Sequence, residues 1–194
     1  EKALPKDEDL RRAVGDSTEP IPFDPRVERF LKSAKWYVDK FPKSDKNAEI
    51  KFRMARLYYQ TNHFNEAETL FKEITVKHQN TVFANYSANL LLDIYNIKKD
   101  YIGLEKMGNE LLSNSAIASS KAGADIRGVL ERSSFKKAQD LEVEKKYLES
   151  AEQFQAFAKQ NSKSELVSMA LFNAGVNFER SGKNYEAIQN YKSS

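Results

Sequence analysis

The residue types that most often carry catalysis or bind metals are sparse in this sequence. The chain has no cysteine and only two histidines, His63 and His78. The pattern places His63 in a turn and His78 at the end of a helix, with no cysteine to join them, so they do not match a zinc-binding spacing. We therefore expect no metal site and no thiol chemistry.

Sequence motifs for phosphate binding and for nucleophilic catalysis are also missing. The chain lacks a G-x-x-x-x-G-K-[ST] loop, a G-x-S-x-G elbow and an H-E-x-x-H helix. Glu142 and Glu144 could form a carboxylate pair, but they lie on a lysine-rich predicted helix where ion pairing is the simpler role. The sequence predicts no catalytic residue, no cofactor and no enzyme activity.

The overall charge and hydropathy narrow the classes of partner. Lys and Arg number 31 and Asp and Glu number 28, a net charge of +3, which does not suggest a surface built to bind nucleic acid. No apolar run approaches the ~18 residues that span a bilayer. We expect membrane contact only through partners or through segments beyond this sequence.

The proline distribution divides the chain near residue 24. Four of the five prolines (Pro5, Pro20, Pro22 and Pro25) fall within the first 25 residues. This pattern predicts an extended or poorly ordered strap over 1–23 and a helical domain over 24–194. The chain begins without Met and ends inside a helical pattern, so we interpret it as a piece of a longer protein.

Helical periodicity begins at Asp24, a predicted N-cap followed by Pro25, and the first helix should end before Pro42. Ser44 or Asp45 is the predicted cap of the next helix.

Small and large packing residues then recur with the same spacing of 3, 9 and 4. The two sets are Ala55, Tyr58, Ala67 and Phe71, and Gly175, Phe178, Ala187 and Tyr191. Weaker copies lie between them. Anchors at Ala67, Leu104, Ala151 and Ala187 predict an irregular array whose third unit has a longer front helix or an extra helix over 118–132.

The segments AEIKFRMARLYYQTNHFNEAETLFKEI and SMALFNAGVNFERSGKNYEAIQNY resemble tetratricopeptide repeats. The connectors FPKSDKNAEI and KQNSKSELVSMA are similar to joints in bacterial envelope proteins of this family, such as the outer-membrane-assembly lipoprotein and the Tol-associated coordinator. The resemblance implies an all-α, right-handed superhelical array of antiparallel hairpins over 24–194, with about four irregular repeats and the last truncated. It also implies a non-catalytic scaffold that binds a protein or peptide partner in a concave groove, in a periplasmic or outer-membrane-associated location rather than the cytoplasm.

The front helices should line that groove. Their predicted inward positions are Arg56, Tyr59, Asn89, Asp93, Asn96, Lys136, Asp140 and Glu179, for each of which a solvated helix face is the alternative. A chaperone-type carboxylate clamp is not predicted, because Phe52, Arg56, Phe172 and Val176 occupy the corresponding positions.

The first predicted helix carries two further features. Trp36 is a candidate interface anchor, although packing against the following helix is the simpler expectation. Six basic residues on or near the helix could touch lipid headgroups or an acidic partner, but an ordinary solvated surface is the simpler interpretation. They are Arg26, Arg29, Lys32, Lys35, Lys40 and Lys43.

Two other functions stay open at this point. A regulatory sensor of a short signalling peptide would need an output module beyond these termini. RNA binding by helical repeats would need a basic groove with interleaved aromatic residues, which the modest net charge disfavours.

Overall fold

The computed structural model describes residues 17–194 and contains no strand in that range. The expectation of an all-α fold is thus confirmed for the described residues. Ten helices are present in this part of the chain: α1 (Pro25–Lys40), α2 (Asn47–Gln60), α3 (Phe64–Lys77), α4 (Val82–Ile97), α5 (Tyr101–Ser113), α6 (Ser115–Ala118), α7 (Lys121–Val143), α8 (Tyr147–Gln160), α9 (Val167–Arg180) and α10 (Asn184–Ser193).

The helices form two compact units, and the boundary between them falls within α7. Unit 1 extends to Ile126 and unit 2 runs from Arg127 to Ser194. The core of unit 1 contains large side chains that are almost fully buried, among them Phe52, Phe71 and Leu91. In unit 2, Phe135 lies edge-on to Phe154, with 5.1 Å between ring centroids, and joins α7 to α8.

The first helix begins and ends where its sequence signals predict. Asp24 accepts a hydrogen bond from the Arg26 backbone N–H at 2.8 Å, Pro25 is the first helical residue, and the helix stops before Pro42. The second helix begins later than predicted. Ser44 accepts from the Lys46 backbone N–H within the connector, at 3.2 Å, so it shapes a turn instead of capping α2.

One turn structure recurs in four helical hairpins, α2–α3, α4–α5, α7–α8 and α9–α10. In each turn a backbone N–H reaches the carbonyl five residues earlier, at 2.8 to 2.9 Å, and the residue before that N–H has a positive φ. The N–H donors are His63, Asp100, Lys146 and Lys183, and the positive-φ residues are Asn62, Lys99, Lys145 and Gly182. The same local chemistry therefore ends all four front helices.

This turn corrects the predicted register of the third repeat. The residue four positions after each turn donor is Ala67, Leu104, Ser150 or Ala187, so the anchor at Ala151 was wrong by one position. Ser150 is fully buried, and its hydroxyl donates to the Ala138 carbonyl at 2.7 Å. A small hydroxyl side chain can occupy this position because its hydrogen bond is satisfied within the hairpin.

The expected irregularity of the third repeat lies in its front helix. Helix α7 has 23 residues, whereas α2 and α9 have 14 each, and the short α6 precedes it. The prediction of a longer front helix is confirmed.

Close contacts within the hairpins explain why small residues recur. A Cβ added at Gly175 would lie 2.5 Å from the Tyr191 ring, so glycine is required for α9 and α10 to approach this closely. The equivalent pair in α4 and α5 is Leu92 and Gly108, with the large residue on the front helix and the small one on the back helix. Each pair thus combines one large and one small residue, and the helix that supplies the small residue differs between the two hairpins.

The two connectors that resemble each other in sequence also share their hydrogen bonds. Ser44 N–H donates to the Phe41 carbonyl at 3.0 Å, and Ser164 N–H donates to the Asn161 carbonyl at 2.8 Å. Each serine hydroxyl also accepts from the backbone N–H two residues later. The two connectors with similar sequences therefore have the same local structure, and one of them lies in each unit.

The described end of the predicted strap, residues 17–23, is non-helical and lies against the α2–α3 turn. The Asn62 side chain donates to the Ser17 and Glu19 carbonyls at 3.0 and 2.8 Å, and Ile21 N–H donates to the Thr61 carbonyl at 2.9 Å. Phe23 stacks on His63 with ring centroids 4.2 Å apart. Residues 1–16 of the predicted strap lie outside the described part of the chain.

Candidate functional site

Unit 1 contains a cleft of about 580 Å³ formed by α2, α4 and the first turns of α7. Helix α4 supplies one continuous stripe of lining residues, because positions three and four apart share a helix face. The lining consists of Tyr59 from α2, Val82, Asn85, Tyr86, Asn89, Leu90 and Asp93 from α4, and Lys121, Ala122 and Asp125 from α7.

Two lining residues, one on α2 and one on α4, are joined by a hydrogen bond at one side of the cleft. The Tyr59 hydroxyl donates to Asp93 Oδ2, and the Tyr59 side chain is only 2% exposed. The Tyr59 ring also packs edge-on against Phe64, with 6.3 Å between centroids. This packing leaves Tyr59 few rotamers, so the position of the Asp93 carboxylate is defined before any ligand arrives.

The carboxamide of Asn89 is the least satisfied polar group in this lining. Its Oδ1 atom is buried and has no hydrogen-bond partner among the described residues. A buried acceptor without a donor costs about 1–3 kcal/mol. Because the atom is buried, a ligand N–H or O–H group could reach it, and recover that free energy, only after the Asn89 side chain turns toward the cleft.

The charges of the cleft are mixed, with two carboxylates against one ammonium group. Asp93 lies on α4, and Lys121 and Asp125 lie on α7. Ser120, just before α7, has its hydroxyl 3.5 Å from Asn85 Oδ1. The cleft therefore offers more acceptors than donors and has a slight negative balance.

Comparisons with known protein families and curated proteins found no match to this chain.

The structure places three of the eight predicted groove residues, Tyr59, Asn89 and Asp93, together in this cleft. Arg56 and Asn96 lie on the same two helices, and both are partly buried, but neither lines the cleft.

The other three predicted residues, Lys136, Asp140 and Glu179, belong to unit 2. Lys136 and Glu179 are exposed, and Glu179 accepts a hydrogen bond from the Tyr191 hydroxyl at 2.8 Å.

The expectation that Trp36 packs against the next helix was wrong. Its side chain is 62% exposed, and its aromatic neighbour is Phe41 in the α1–α2 connector, with 6.1 Å between ring centroids. Leu31 and Ala34 form the buried side of α1, and Trp36 lies on the opposite side of the helix.

Four polar lining residues were missed from the sequence. Asn85 and Tyr86 lie one turn before Asn89 and could have been found by extending the α4 stripe. Lys121 and Asp125 had no sequence signal, because only the tertiary approach of α7 to α4 brings them to the cleft.

Within residues 17–194, no three His, Cys, Asp or Glu side chains are grouped in a way that could hold a metal ion. No helix in the same range is both long and apolar enough to cross a membrane.

Proposed function

We propose that this chain is a non-catalytic interaction scaffold that binds an extended segment of a partner protein in the unit 1 cleft. The observation that carries the proposal is a cleft lined by two carboxylates and by Asn89, whose buried Oδ1 atom gains a donor if the side chain turns toward a ligand. Peptide backbone offers one N–H group per residue, which is the donor that this atom lacks.

The charges of the cleft favour a basic segment. Asp93 and Asp125 outnumber Lys121, so a Lys or Arg side chain of the partner would find a carboxylate beside the bound backbone. Val82, Tyr86 and Leu90 add apolar and aromatic surface for a neighbouring side chain. The preferred occupant is therefore a segment with one basic and one apolar residue, not a nucleic acid.

We also propose that the hairpins belong to a tetratricopeptide-type array with a right-handed superhelical arrangement. Four identical turns and the small-and-large packing pairs support this assignment. The matching connectors at Ser44 and Ser164 support the narrower proposal of a role in a bacterial envelope complex, because they carry the resemblance to envelope repeat proteins.

Site-specific photo-crosslinking in the native cell tests the binding proposal. A photoreactive residue is placed at Tyr86 or at Asp125, which line the cleft from different helices and are not fully buried. We expect both positions to crosslink the same segment of one partner protein, identified by mass spectrometry of the crosslinked peptide.

The matched control is a photoreactive residue at Ile102, which is also in unit 1 but is 77% exposed and does not line the cleft. It should not crosslink that segment. Crosslinks that are equal at all three positions, or that differ between Tyr86 and Asp125, would contradict a peptide-binding cleft.

A further inference from the structure

The outward face of α1 combines an exposed aromatic pair with a row of cations. Trp36 is 62% exposed and Phe41 is 46% exposed, and their rings meet edge to face with centroids 6.1 Å apart. Leu31 and Ala34 bury the opposite face of the helix against unit 1. The aromatic pair is therefore held at the end of α1, by the helix and its connector, without being part of the core.

The cations lie on the same face as Trp36. Arg29, Lys32 and Lys40 are seven before, four before and four after Trp36, and these spacings place side chains on one helix face. Lys43 follows Phe41 in the connector, and all four cationic side chains are exposed.

These cations are not neutralised by neighbouring acids. Among the described residues, Arg29, Lys32, Lys40 and Lys43 form no ion pair, whereas Arg26 at the start of α1 pairs with Asp24 at 3.0 Å. Two acids, Glu28 and Asp39, lie toward the edge of the same face. The centre of the face is therefore cationic.

We propose that this face, defined by Arg29, Lys32, Trp36, Lys40, Phe41 and Lys43, docks on the surface of a bilayer that contains anionic phospholipids. Tryptophan and aromatic side chains favour the bilayer interface, where an apolar ring meets hydrated headgroups. Each nearby Lys or Arg strengthens attraction to anionic lipid. The contact is peripheral and requires no spanning helix, unlike the membrane contact through other segments that the sequence suggested.

The shape of this face favours lipid over an acidic protein. A protein hot spot seats an aromatic anchor in a desolvated pocket with a surrounding ring of contacts. Trp36 instead projects from the outer side of a helix, and three of the four neighbouring cations are long, flexible lysines suited to a fluid array of headgroups.

The sole tryptophan of the chain makes Trp36 its own probe. The full chain is titrated with vesicles of phosphatidylcholine and phosphatidylglycerol, and with vesicles of phosphatidylcholine alone. We expect Trp36 emission to move to shorter wavelength with the anionic vesicles only, and to be quenched by a quencher attached near the lipid headgroup. The shift should weaken as salt is added, because screening reduces the attraction of the lysines.

Vesicle co-sedimentation separates the contribution of the lysine charges from that of the Trp36 side chain. Lys40→Gln with Lys43→Gln should lower the partition constant roughly 30-fold, and Trp36→Ala should lower it about tenfold or more. The charge control is Lys159→Gln with Lys163→Gln, an exposed pair in unit 2, and the aromatic control is Tyr185→Ala, which is 72% exposed on α10. Both controls should bind as the parent chain does.

Three results would overturn the proposal. The first is an absence of any emission shift with anionic vesicles at low salt. The second is equal loss of binding in the control variants. The third is an equal emission shift with soluble polyglutamate, which would assign the face to acidic polypeptide. All substitutions are at exposed positions, and unchanged helix content by circular dichroism verifies that each variant is folded.

Discussion

Single side chains join neighbouring helices in unit 1, and Glu68 is the clearest case. On α3, Glu68 accepts hydrogen bonds from the Tyr95 hydroxyl at 2.6 Å and from Lys72 Nζ at 2.7 Å, and Lys98 Nζ lies 3.6 Å away. Burial alone raises the pKa of Glu68, but these donors and cations outweigh it and hold the pKa below its ordinary value. Ionised Glu68 therefore stabilises the α3–α4 contact.

Replacing the Glu68 carboxylate should destabilise the fold only at pH values at which this carboxylate is ionised. Because the folded pKa of Glu68 lies below its ordinary value of 4.5, its stabilisation is present above that pH and is lost as the pH falls through the folded pKa. We expect Glu68→Gln to lower the free energy of unfolding by about 1–2 kcal/mol near neutral pH and to converge with the parent chain in acid.

Urea unfolding at a series of pH values measures this difference. Glu49→Gln is the control, because Glu49 pairs with Arg53 on one exposed helix face and should change stability by less than about 0.5 kcal/mol. A Glu68→Gln deficit that persists unchanged in acid would show that packing, not the carboxylate charge, accounts for its effect.

At the scale of helices, hairpin geometry depends on small residues at a few contact points. Gly175 on α9 faces the Tyr191 ring of α10, and an added Cβ would be 2.5 Å from that ring. Gly128 on α7 is different, because the atoms near its added Cβ belong to the flexible Arg132 side chain, beginning at 3.2 Å. Packing therefore requires glycine at position 175, whereas position 128 has room for a methyl group.

We expect replacement by alanine to have opposite effects on stability at Gly175 and at Gly128. Gly175→Ala should lower the free energy of unfolding by about 1–3 kcal/mol, since overpacking exceeds the gain in helix propensity. Gly128→Ala should leave stability unchanged or raise it by up to ~1 kcal/mol. Thermal unfolding followed by circular dichroism measures both.

A second substitution tests whether the steric contact is the cause. Gly175→Ala combined with Tyr191→Leu should recover part of the loss, because the smaller side chain leaves room for the new methyl group. No recovery, or equal effects at Gly175 and Gly128, would contradict the packing role assigned to this contact.

Across the whole chain, helix ends and packing positions could be predicted from the sequence better than the contacts between helices that are distant along the chain. The start of α1, its end before Pro42 and the small-and-large packing positions were predictable because caps, proline and contact spacing act within one or two helices. The register error at Ala151 arose because Ser150 is polar by type, and only its bond to the Ala138 carbonyl makes it a core residue.

The cleft was predictable in part for the same reason. Tyr59, Asn89 and Asp93 follow from helix-face periodicity on α2 and α4, whereas Lys121 and Asp125 reach the cleft through the path of α7. The exposure of Trp36 was also missed, because the identity of the residue favoured burial while its position opposite Leu31 and Ala34 faces outward.

The most direct test of the binding proposal separates affinity from stability at Asn89. A displayed library of random peptides is selected on the full parent chain, and the selected peptides are then measured against Asn89→Leu, Asp125→Asn and the control Ile102→Ala. We expect selected peptides to contain a basic residue and to lose affinity for the first two variants but not for the control. Asn89→Leu should be as stable as the parent or up to ~1 kcal/mol more stable, because it removes a buried acceptor without a partner. Selected peptides that bind all three variants equally, or a library that yields no binder, would contradict the account.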